Sequence, residues 1–453
     1  MVFTLDEELD ELTITDSDNE EAPQQLLQPP GADHVARRRR RSSKLEKLPV
    51  IAPPHSRRLS VSVGEGQASS LDPKVLSDFK PVRALGQGAY GKVILVKDDS
   101  TSKLYAMKQL QKAEIIIENE DTPDVSKRVE RIFAERTILS QLDHPNVVKL
   151  FYTFHDNSKL YLLLQYIPGG ELFYHLKERG TLDEDTAAFY AAEISCALKF
   201  LHQKGIVYRD LKPENCLLDA RGHLVLTDFG LSKKSVDENS SSSPAEDVSE
   251  LHSIIGTPEY CAPEILQGLP YTRNCDWYSL GCLVYDMLVG KPPYTGANHK
   301  VILNKIQKEK AGPRIPYYLS EGMKDWLGAL LKKDRNKRWD VDRYWAAPLT
   351  TKKESGSRKK KRRAGQERVS PYTTHFVFRK INWTMMQDGA LQRGEQGPIM
   401  PVITDLELAE NFDEEFTSLA CEDDDRETTA TFKSDVFKGF SYKASGSYLE
   451  KYF

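Results

Sequence analysis

The sequence predicts an α+β protein with two lobes, a small β-rich lobe followed by a larger helical lobe. Alternating apolar and polar residues, typical of strands, occupy four segments between residues 92 and 167. After Gly169 and Gly170 the apolar residues recur at helical spacing, in ELFYHLKERG and TAAFYAAEISCALKFLHQKG. Gly180 and Gly205 end these two segments. We therefore expect a hinge between the lobes at residues 165–170.

The elements of the small lobe can be predicted in order. Periodic sequence begins at FKPVRAL, and strand-like alternation follows in KVILVKD and KLYAMKQL. A helix-like stretch runs from Ser126 to Leu142, before strands in VVKLFYTF and LYLLLQYI.

Composition divides the chain into three regions. Residues 1–78 carry few apolar residues to offset the entropy cost of ordering, which predicts a disordered regulatory region. Residues 79–378 form the predicted globular domain, with a polar insertion of low complexity at about 351–374. Residues 379–453 are predicted to form a C-terminal extension.

The overall composition argues against several classes of protein. The 453 residues are 39% hydrophobic and carry a net charge of −4, which is not the footprint of a nucleic-acid-binding protein. Six cysteines without CxxC spacing indicate free thiols in a reducing compartment. No apolar run approaches the length of a membrane span, and MVFTLDEELDELT is unlike a signal peptide because it is acidic. We expect a cytoplasmic protein with no membrane span.

Two basic runs leave alternatives open. RRRRR at 37–41 indicates a solvated basic tail, which could also direct the protein to the nucleus. RKKKRR at 358–363 could bind RNA, but two short runs on an acidic chain are thin support, so we expect no nucleic-acid partner.

A glycine-rich segment, LGQGAYGKV, supplies Gly86, Gly88 and Gly91, followed by Val93. Alone, such a pattern often marks only a tight turn. Here a β-branched, alternating segment follows the glycines, whereas a dinucleotide-binding fingerprint would continue into a helix. The pattern therefore predicts a flap between two strands whose backbone amides lie over nucleotide phosphates.

Further residues fit phosphoryl transfer, which needs a fixed cation to hold phosphate charge. Lys108 lies on the next predicted strand in apolar company, and Glu135 on the following helix could pair with it. In IVYRDLKPENCLL, Asp210 can accept a hydroxyl proton and Lys212 can steady the transferred group. Two residues offer oxygen ligands to Mg²⁺, which prefers such donors: Asn215, and Asp228 in TDFG.

These motifs together resemble a eukaryotic protein kinase, from Phe79 to Phe378. The resemblance implies the bilobal kinase fold with ATP and Mg²⁺ as cofactors. It also implies that Glu264 in GTPEYCAPE pairs with Arg338 and that Asp276 in DWYSLG braces the catalytic loop, the part of IVYRDLKPENCLL that carries Asp210. The residues implied around ATP are Leu85, Gly86, Gly88, Gly91, Val93, Lys108 and Glu135.

YRD, LKPEN, GTPEY and the C-terminal extension resemble the AGC group of serine/threonine kinases. This resemblance implies protein substrates with arginines upstream of the target hydroxyl. Three acidic residues are expected to bind those arginines, because carboxylates match the guanidinium fork: Glu171, Glu214 and Asp286. The chain itself contains RRLS at 57–60; we favour a solvated basic tail over autophosphorylation or pseudosubstrate binding at Ser60.

The resemblance also implies two phosphorylation switches. Ser253 in LHSIIGTPEY is the expected activation-loop site, and Arg209 is the expected partner of its phosphate. Ile254 and Ile255 replace the usual Phe-Cys, which weakens the match to an upstream phosphoinositide-dependent kinase.

FKGFSY, residues 437–442, resembles the hydrophobic motif of the AGC extension, with Ser441 as its phosphosite. Phe437, Phe440 and Tyr442 are expected to anchor it in a groove of the small lobe beside the helix that carries Glu135. We therefore interpret the motif as a docked segment outside the domain core. Its form resembles the p70 ribosomal protein S6 kinase branch.

The N-terminus resembles a short signal by which that branch docks to a TOR complex, through Phe3, Leu5 and Asp6. Thr4 departs from the pattern. A second phosphosite of the family would fall in EDDD at 422–425; we hypothesise that Asp423 and Asp424 supply its negative charge permanently. The implied upstream partners are a phosphoinositide-dependent kinase and a TOR complex.

Two alternatives are a pseudokinase scaffold and another AGC branch. A pseudokinase would need a broken catalytic set, but Lys108, Glu135, Asp210, Asn215 and Asp228 are all present. We expect a monomer.

Overall fold

The computed structural model describes residues 74–88, 91–116, 123–235, 251, 253, 255–309, 312–345, 371–421 and 434–452. The predicted N-terminal regulatory region and the acidic run at 422–425 therefore lie outside the described residues, apart from 74–78.

The small lobe is built on a twisted antiparallel sheet. Its elements are β1 (Phe79–Gly88), β2 (Gly91–Asp98), β3 (Leu104–Gln111), α1 (Lys112–Ile116), α2 (Pro123–Leu139), β4 (Leu150–His155) and β5 (Lys159–Gln165). The sheet order is β1-β2-β3-β5-β4, and a sixth strand from the C-terminal extension continues it beyond β4. The strands predicted from alternation are all present, while the predicted helix is shifted three residues toward the N-terminus. The helix ends at Leu139, after which the amides of Gln141 and Leu142 donate to carbonyls three residues back instead of four.

The large lobe is mainly helical, as predicted. Its elements are α3 (Leu172–Arg179), α4 (Glu184–Gln203), β6 (Ile206–Val207), β7 (Cys216–Leu218), β8 (Leu224–Leu226), β9 (Lys233–Lys234), α5 (Pro263–Leu266), α6 (Asn274–Val289), α7 (His299–Lys308) and α8 (Glu321–Leu330). Asp183 caps α4 by accepting hydrogen bonds from two first-turn amides. Gly180 ends α3 with a positive φ of 78°. Helices α4 and α6 are buried along most of their length and form the core of this lobe.

Of the predicted polar insertion at 351–374, residues 351–370 lie outside the described residues. Packed structure resumes earlier than the predicted end at 374, because Tyr372 is fully buried. Its hydroxyl shares a hydrogen bond of 2.8 Å with Ser195 of α4. Its ring lies among aromatic rings of the large lobe, including Trp339 at 5.3 Å.

The C-terminal extension returns across both lobes to the small one. It contains α9 (Trp383–Gln387), α10 (Ala390–Gly394), α11 (Glu414–Thr417), β10 (Tyr442–Lys443) and α12 (Gly446–Tyr452). Short 3-10 helices lie at Leu76–Asp78, Pro213–Asn215, Tyr372–Thr374, Phe376–Phe378 and Ser434–Phe437. Strand β10 pairs with β4, with Tyr442 opposite Thr153. Among the described residues, no helix is both long and apolar enough to cross a membrane.

Candidate active site

The cleft between the sheet and the large lobe contains most of the residues predicted around a nucleotide. Leu85, Gly86 and Val93 line it from β1 and β2, opposite Leu217 and Thr227 of the large lobe. Of the other predicted residues, Lys108, Glu135, Asp228, Glu171 and Glu214 also line the cleft. Gly88 and Gly91 do not line it; they pair with each other at the end of the β1–β2 ribbon.

The glycine-rich segment joins two strands, as the sequence predicts. Gly91 has a φ of 155°, and a Cβ atom there would overlap the carbonyl of Gln109 on β3. Glycine at this position therefore lets β2 approach β3 closely. Around Gly86 nothing lies within 4 Å of the position of a Cβ atom, so a side chain there would meet open space.

Lys108 is the central cation of the site. Its Nζ atom lies 2.8 Å from Glu135 Oε1 and 3.2 Å from Asp228 Oδ1. Burial would lower the pKa of Lys108, but Asp228 and Glu135 outweigh it and raise the pKa above its usual value. The nearby ammonium lowers the pKa of Asp228 despite its burial. Lys108 and Asp228 are therefore both charged at neutral pH.

Asp210 is held by a second set of contacts on the large-lobe side. Asn215 Nδ2 donates to Asp210 Oδ2 at 2.7 Å, and Lys212 Nζ lies 3.3 Å from the same oxygen. Lys212 also donates to Thr257 Oγ1 at 3.0 Å. Burial raises the pKa of Asp210, and Lys212 opposes that shift. Sequence reasoning missed Thr257, although GTPEY contains it.

The backbone around these groups is unusual. Arg209 and Asp228 have φ values of 69° and 48°, in the left-handed region that side chains seldom adopt. Asp276 holds the backbone at Arg209. Its carboxylate accepts hydrogen bonds from the Tyr208 amide at 2.9 Å and from the Arg209 amide at 2.8 Å. This contact confirms that Asp276 braces the catalytic loop.

The predicted Glu264–Arg338 pair is also confirmed. The Arg338 guanidinium donates to both oxygens of Glu264, at 2.6 and 2.9 Å, with its side chain fully buried. This bidentate pair ties α5 to the segment that follows α8.

The extension completes the cleft with a residue that sequence reasoning missed. Phe412 lines the cleft and stacks on Tyr166 of the hinge, with ring centroids 6.1 Å apart. Tyr166 in turn donates to the carbonyl of Leu406 at 3.1 Å. The segment NFDEEF at 411–416 lies in the C-terminal extension, and its contact with the hinge through Asn411 and Pro168 spans 243 residues, so it is not visible as a local pattern.

The three acidic residues predicted to bind substrate have different environments. Burial and the charge of Glu214 raise the pKa of Glu171 to about 7. Glu214 Oε2 is buried and has no hydrogen-bond partner among the described residues. Asp286 is buried and accepts a hydrogen bond of 2.7 Å from Tyr260. Glu171 and Glu214 therefore form a pair of neighbouring carboxylates, and the charge of Lys212 opposes the pKa shift of Glu171 only in part.

The two predicted phosphosites are both exposed. The carbonyl of Ser253 accepts a hydrogen bond of 3.0 Å from Tyr271, whose hydroxyl accepts one of 2.9 Å from Arg209. Tyr271, which sequence reasoning missed, thus connects Ser253 to Arg209 of the catalytic loop. The carbonyl of Ser441 accepts a hydrogen bond of 3.0 Å from Arg136 of α2.

The hydrophobic motif is docked in the small lobe. Phe440 is fully buried and meets Phe133 of α2 edge-to-face at 5.7 Å, and Phe437 is 1% exposed. Lys112 lies over the Phe437 ring at 5.2 Å, and Arg136 lies over the Tyr442 ring at 5.5 Å. The expected groove beside α2 is therefore present. Contrary to the interpretation from sequence, Phe437 and Phe440 belong to the main hydrophobic core, because that core extends through α2 to them.

Comparison with known proteins agrees with this arrangement. Residues 79–349 match the family model of the protein kinase domain. The chain is 55% identical over 531 aligned positions to the serine/threonine-protein kinase YPK3 of Saccharomyces cerevisiae, and the match covers 100% of both proteins. The chain belongs to the AGC group of serine/threonine protein kinases.

Two other relatives bear on the branch of this kinase. Ribosomal protein S6 kinase beta of Caenorhabditis elegans is 37% identical over 83% of this chain and 62% of that protein. The serine/threonine-protein kinase Sgk1 of Danio rerio is 36% identical over 88% of this chain and 83% of that protein. The resemblance to ribosomal protein S6 kinases is confirmed. The identities of 37% to the S6 kinase and 36% to Sgk1 differ too little to separate these two branches.

Proposed function

We propose that this kinase transfers the γ-phosphate of magnesium ATP to serine or threonine in proteins with arginines upstream of the target residue. The observation that carries the proposal is the arrangement in one cleft of the Lys108–Glu135 pair and Asp228, with Asp210 and Lys212 beside it. Phosphoryl transfer requires mainly positioning and electrostatic stabilisation, and these groups supply fixed charges of both signs.

The donor set fits a magnesium nucleotide, which protein kinases generally use. Asp228 offers an ionised carboxylate because Lys108 lowers its pKa. Asn215 donates its amide N–H to Asp210, which leaves its side-chain carbonyl as an acceptor. These are the hard oxygen ligands that Mg²⁺ prefers, and phosphates and water would supply the others. Lys108 would bind phosphate oxygens, with Leu85, Val93 and Phe412 against the rest of the nucleotide.

Asp210 is the proposed group that receives the hydroxyl proton of the substrate. Its hydrogen bond from Asn215 and its contact with Lys212 fix the carboxylate, so the incoming hydroxyl meets a group that is already oriented. Lys212 would neutralise charge on the transferred phosphoryl group.

We expect Asp210→Asn to lower kcat by about a thousandfold, because the amide can orient the hydroxyl but cannot accept its proton. The measurement is phosphate transfer from γ-labelled ATP to an RRxS-type peptide, with nucleotide affinity measured separately. Asp219→Asn is the matched control, since Asp219 holds a surface turn through the amides of Arg221 and His223. Wild-type activity in the Asp210 variant would reject its assignment, whereas no phosphate transfer by the wild-type protein itself would favour the noncatalytic role of a scaffold.

Substrate arginines would pair with Glu171 and Glu214. A guanidinium would satisfy the buried Oε2 atom of Glu214 and relieve the repulsion between the two carboxylates. Asp286 is proposed as a further acidic residue at the substrate surface. It would act through Tyr260, from whose hydroxyl it accepts a hydrogen bond.

This pairing predicts a pH-dependent KM for peptides. Because the pKa of Glu171 is raised to about 7, its charge is present above that pH and is lost as the pH falls through it. We expect the KM for an RRxS-type peptide to rise about tenfold between pH 8 and pH 6, with the KM for ATP unchanged. Glu171→Gln should raise KM at pH 8 and remove this dependence. An equally steep profile in that variant, or equal rates on basic and acidic peptides, would rule out the pairing.

The proposal also includes regulation of this kinase by TOR signalling. The exposed Ser441 and its docked motif, together with the exposed Ser253, support phosphorylation by a TOR complex and a phosphoinositide-dependent kinase respectively. The N-terminal signal at Phe3, Leu5 and Asp6 lies outside the described residues. Mapping of both serines in cells with TOR signalling on and off tests this part.

A further inference from the structure

A second buried charge network lies behind the catalytic loop, outside the nucleotide cleft. His202, near the end of α4, has a fully buried side chain. Its Nε2 atom lies 2.8 Å from Asp276 Oδ2, and its Nδ1 atom lies 2.8 Å from Asp342 Oδ2. The Asp342 side chain is only 4% exposed. Asp342 was not identified from the sequence.

This geometry sets the protonation state of His202. An ionised carboxylate only accepts hydrogen bonds, so a ring with a carboxylate at each nitrogen must donate from both, which requires the imidazolium form. Burial alone would lower the pKa of His202, but Asp342 and Asp276 together raise it to about 9. The imidazolium in turn compensates the buried charge of Asp276.

Asp276 connects His202 to the catalytic loop. The oxygen that faces His202 also accepts the Tyr208 amide, and the other oxygen accepts the Arg209 amide. Arg209 directly precedes Asp210 and has a positive φ, a conformation that needs external support. Movement of the Asp276 carboxylate would therefore shift the peptide that carries Asp210.

Asp342 is itself firmly held. Trp277 Nε1 donates to Oδ2 at 2.8 Å, and Lys199 Nζ and Arg273 Nε each lie 3.4 Å from the carboxylate. The charged and titratable groups of this network are thus Asp276, Asp342, Lys199 and Arg273, together with the Cys275 thiol 3.8 Å from Asp276. Because Asp342 has two cations of its own, it can stay ionised beside His202 without losing compensation.

We infer that Asp342 is a positioning residue for phosphoryl transfer, which keeps His202 as an imidazolium and thereby fixes Asp276 and the backbone of Asp210. The inference rests on the proposed role of Asp210. It adds a remote carboxylate, separated from the catalytic loop by His202 and Asp276, whose removal should change the rate and its pH dependence rather than nucleotide binding.

The test is Asp342→Asn, with kcat and the KM for ATP measured from pH 6 to pH 9. In the variant the pKa of His202 should fall, because the carboxylate that most strongly raises it is gone. We expect kcat to be close to wild type at pH 6 and about tenfold lower at pH 8, with the KM for ATP unchanged. Asp342→Glu should restore most of the rate at pH 8. Asp340→Asn is the matched control, since the Asp340 carboxylate accepts a hydrogen bond from the backbone amide of Arg343.

Two outcomes would overturn the inference. One is a kcat for Asp342→Asn equal to that of Asp340→Asn across the whole pH range, in a protein where Asp210→Asn is inactive. The other is a ring ¹⁵N signal of His202 in the wild-type protein, assigned with His202→Gln, that shows a neutral imidazole at pH 8. The NMR measurement needs no folded Asp342 variant. Loss of activity at Asp342 with an active Asp210→Asn protein would instead reject the proposed role of Asp210.

Discussion

Lys108→Met is expected to abolish measurable phosphoryl transfer and also to destabilise the fold. The rate should fall by about a thousandfold, since the substitution removes the cation that would hold the phosphates. Removing one partner of a buried ion pair leaves an uncompensated charge and costs about 3–5 kcal/mol. The Lys108 side chain is 21% exposed, and solvent reduces this cost, so we expect about 2–3 kcal/mol by chemical denaturation.

The pH dependence of this loss identifies its origin. Without Lys108, Glu135 and Asp228 face each other across the cleft, and the pKa of Glu135, already raised by burial, should rise further. Protonation of that carboxyl would then relieve the repulsion. The stability gap between the variant and wild type should therefore narrow as the pH falls from 7 to 5. The measurement is the free energy of unfolding of both proteins at each pH.

Lys80→Met supplies the control for this experiment. Lys80 lies 3.2 Å from Asp99 at the surface, with 74% of its side chain exposed, so its removal should change stability by about 0.5 kcal/mol or less. A stability gap for Lys108→Met that does not vary with pH would mean that the loss arises from packing rather than from the two carboxylates.

The sequence allowed the catalytic cluster to be predicted because its chemistry lies in short segments. Asp210, Lys212 and Asn215 are five positions apart at most, and a single loop with one 3-10 turn sets their mutual geometry. The pairing of Lys108 with Glu135 was predictable for a similar reason, since the strand and the helix that carry them are neighbours in the chain.

The groups that the sequence did not indicate reach the site through contacts between distant segments. Phe412 stacks on Tyr166, a hinge residue far earlier in the chain, and Asp342 bonds to His202 across 140 positions. No local periodicity carries such information. Helix α12 was missed for a different reason, because its seven residues are too few to display an amphipathic pattern.

Helix α12 nevertheless changes how the hydrophobic motif is held. Tyr448 donates to the carbonyl of Leu142, and Lys451 pairs with Asp143 at 2.6 Å. Tyr452 also contacts Asp143, and its ring lies 5.3 Å from the ammonium of Lys149. The motif is thus fixed by buried rings before Ser441 and by a strand and a helix after it.

Phe440→Ala should therefore lower activity, although Phe440 itself does not line the nucleotide cleft. Removal of a fully buried Phe ring costs about 3–5 kcal/mol, and this loss falls on the interface between the extension and α2. Because α2 carries Glu135, a looser interface should weaken the Lys108–Glu135 pair. We expect kcat to fall about tenfold, with faster amide hydrogen exchange in β10 and α2.

The matched control for this substitution is Val436→Ala, since Val436 is 43% exposed in the same segment and should be nearly neutral. Phe133→Ala should reproduce the effect of Phe440→Ala from the other side of the interface. The double variant should then lose less than the sum of the two single losses, because both remove the same edge-to-face contact. Strictly additive losses, or wild-type kcat despite faster exchange in β10, would show that the docked ring does not control the Lys108–Glu135 pair.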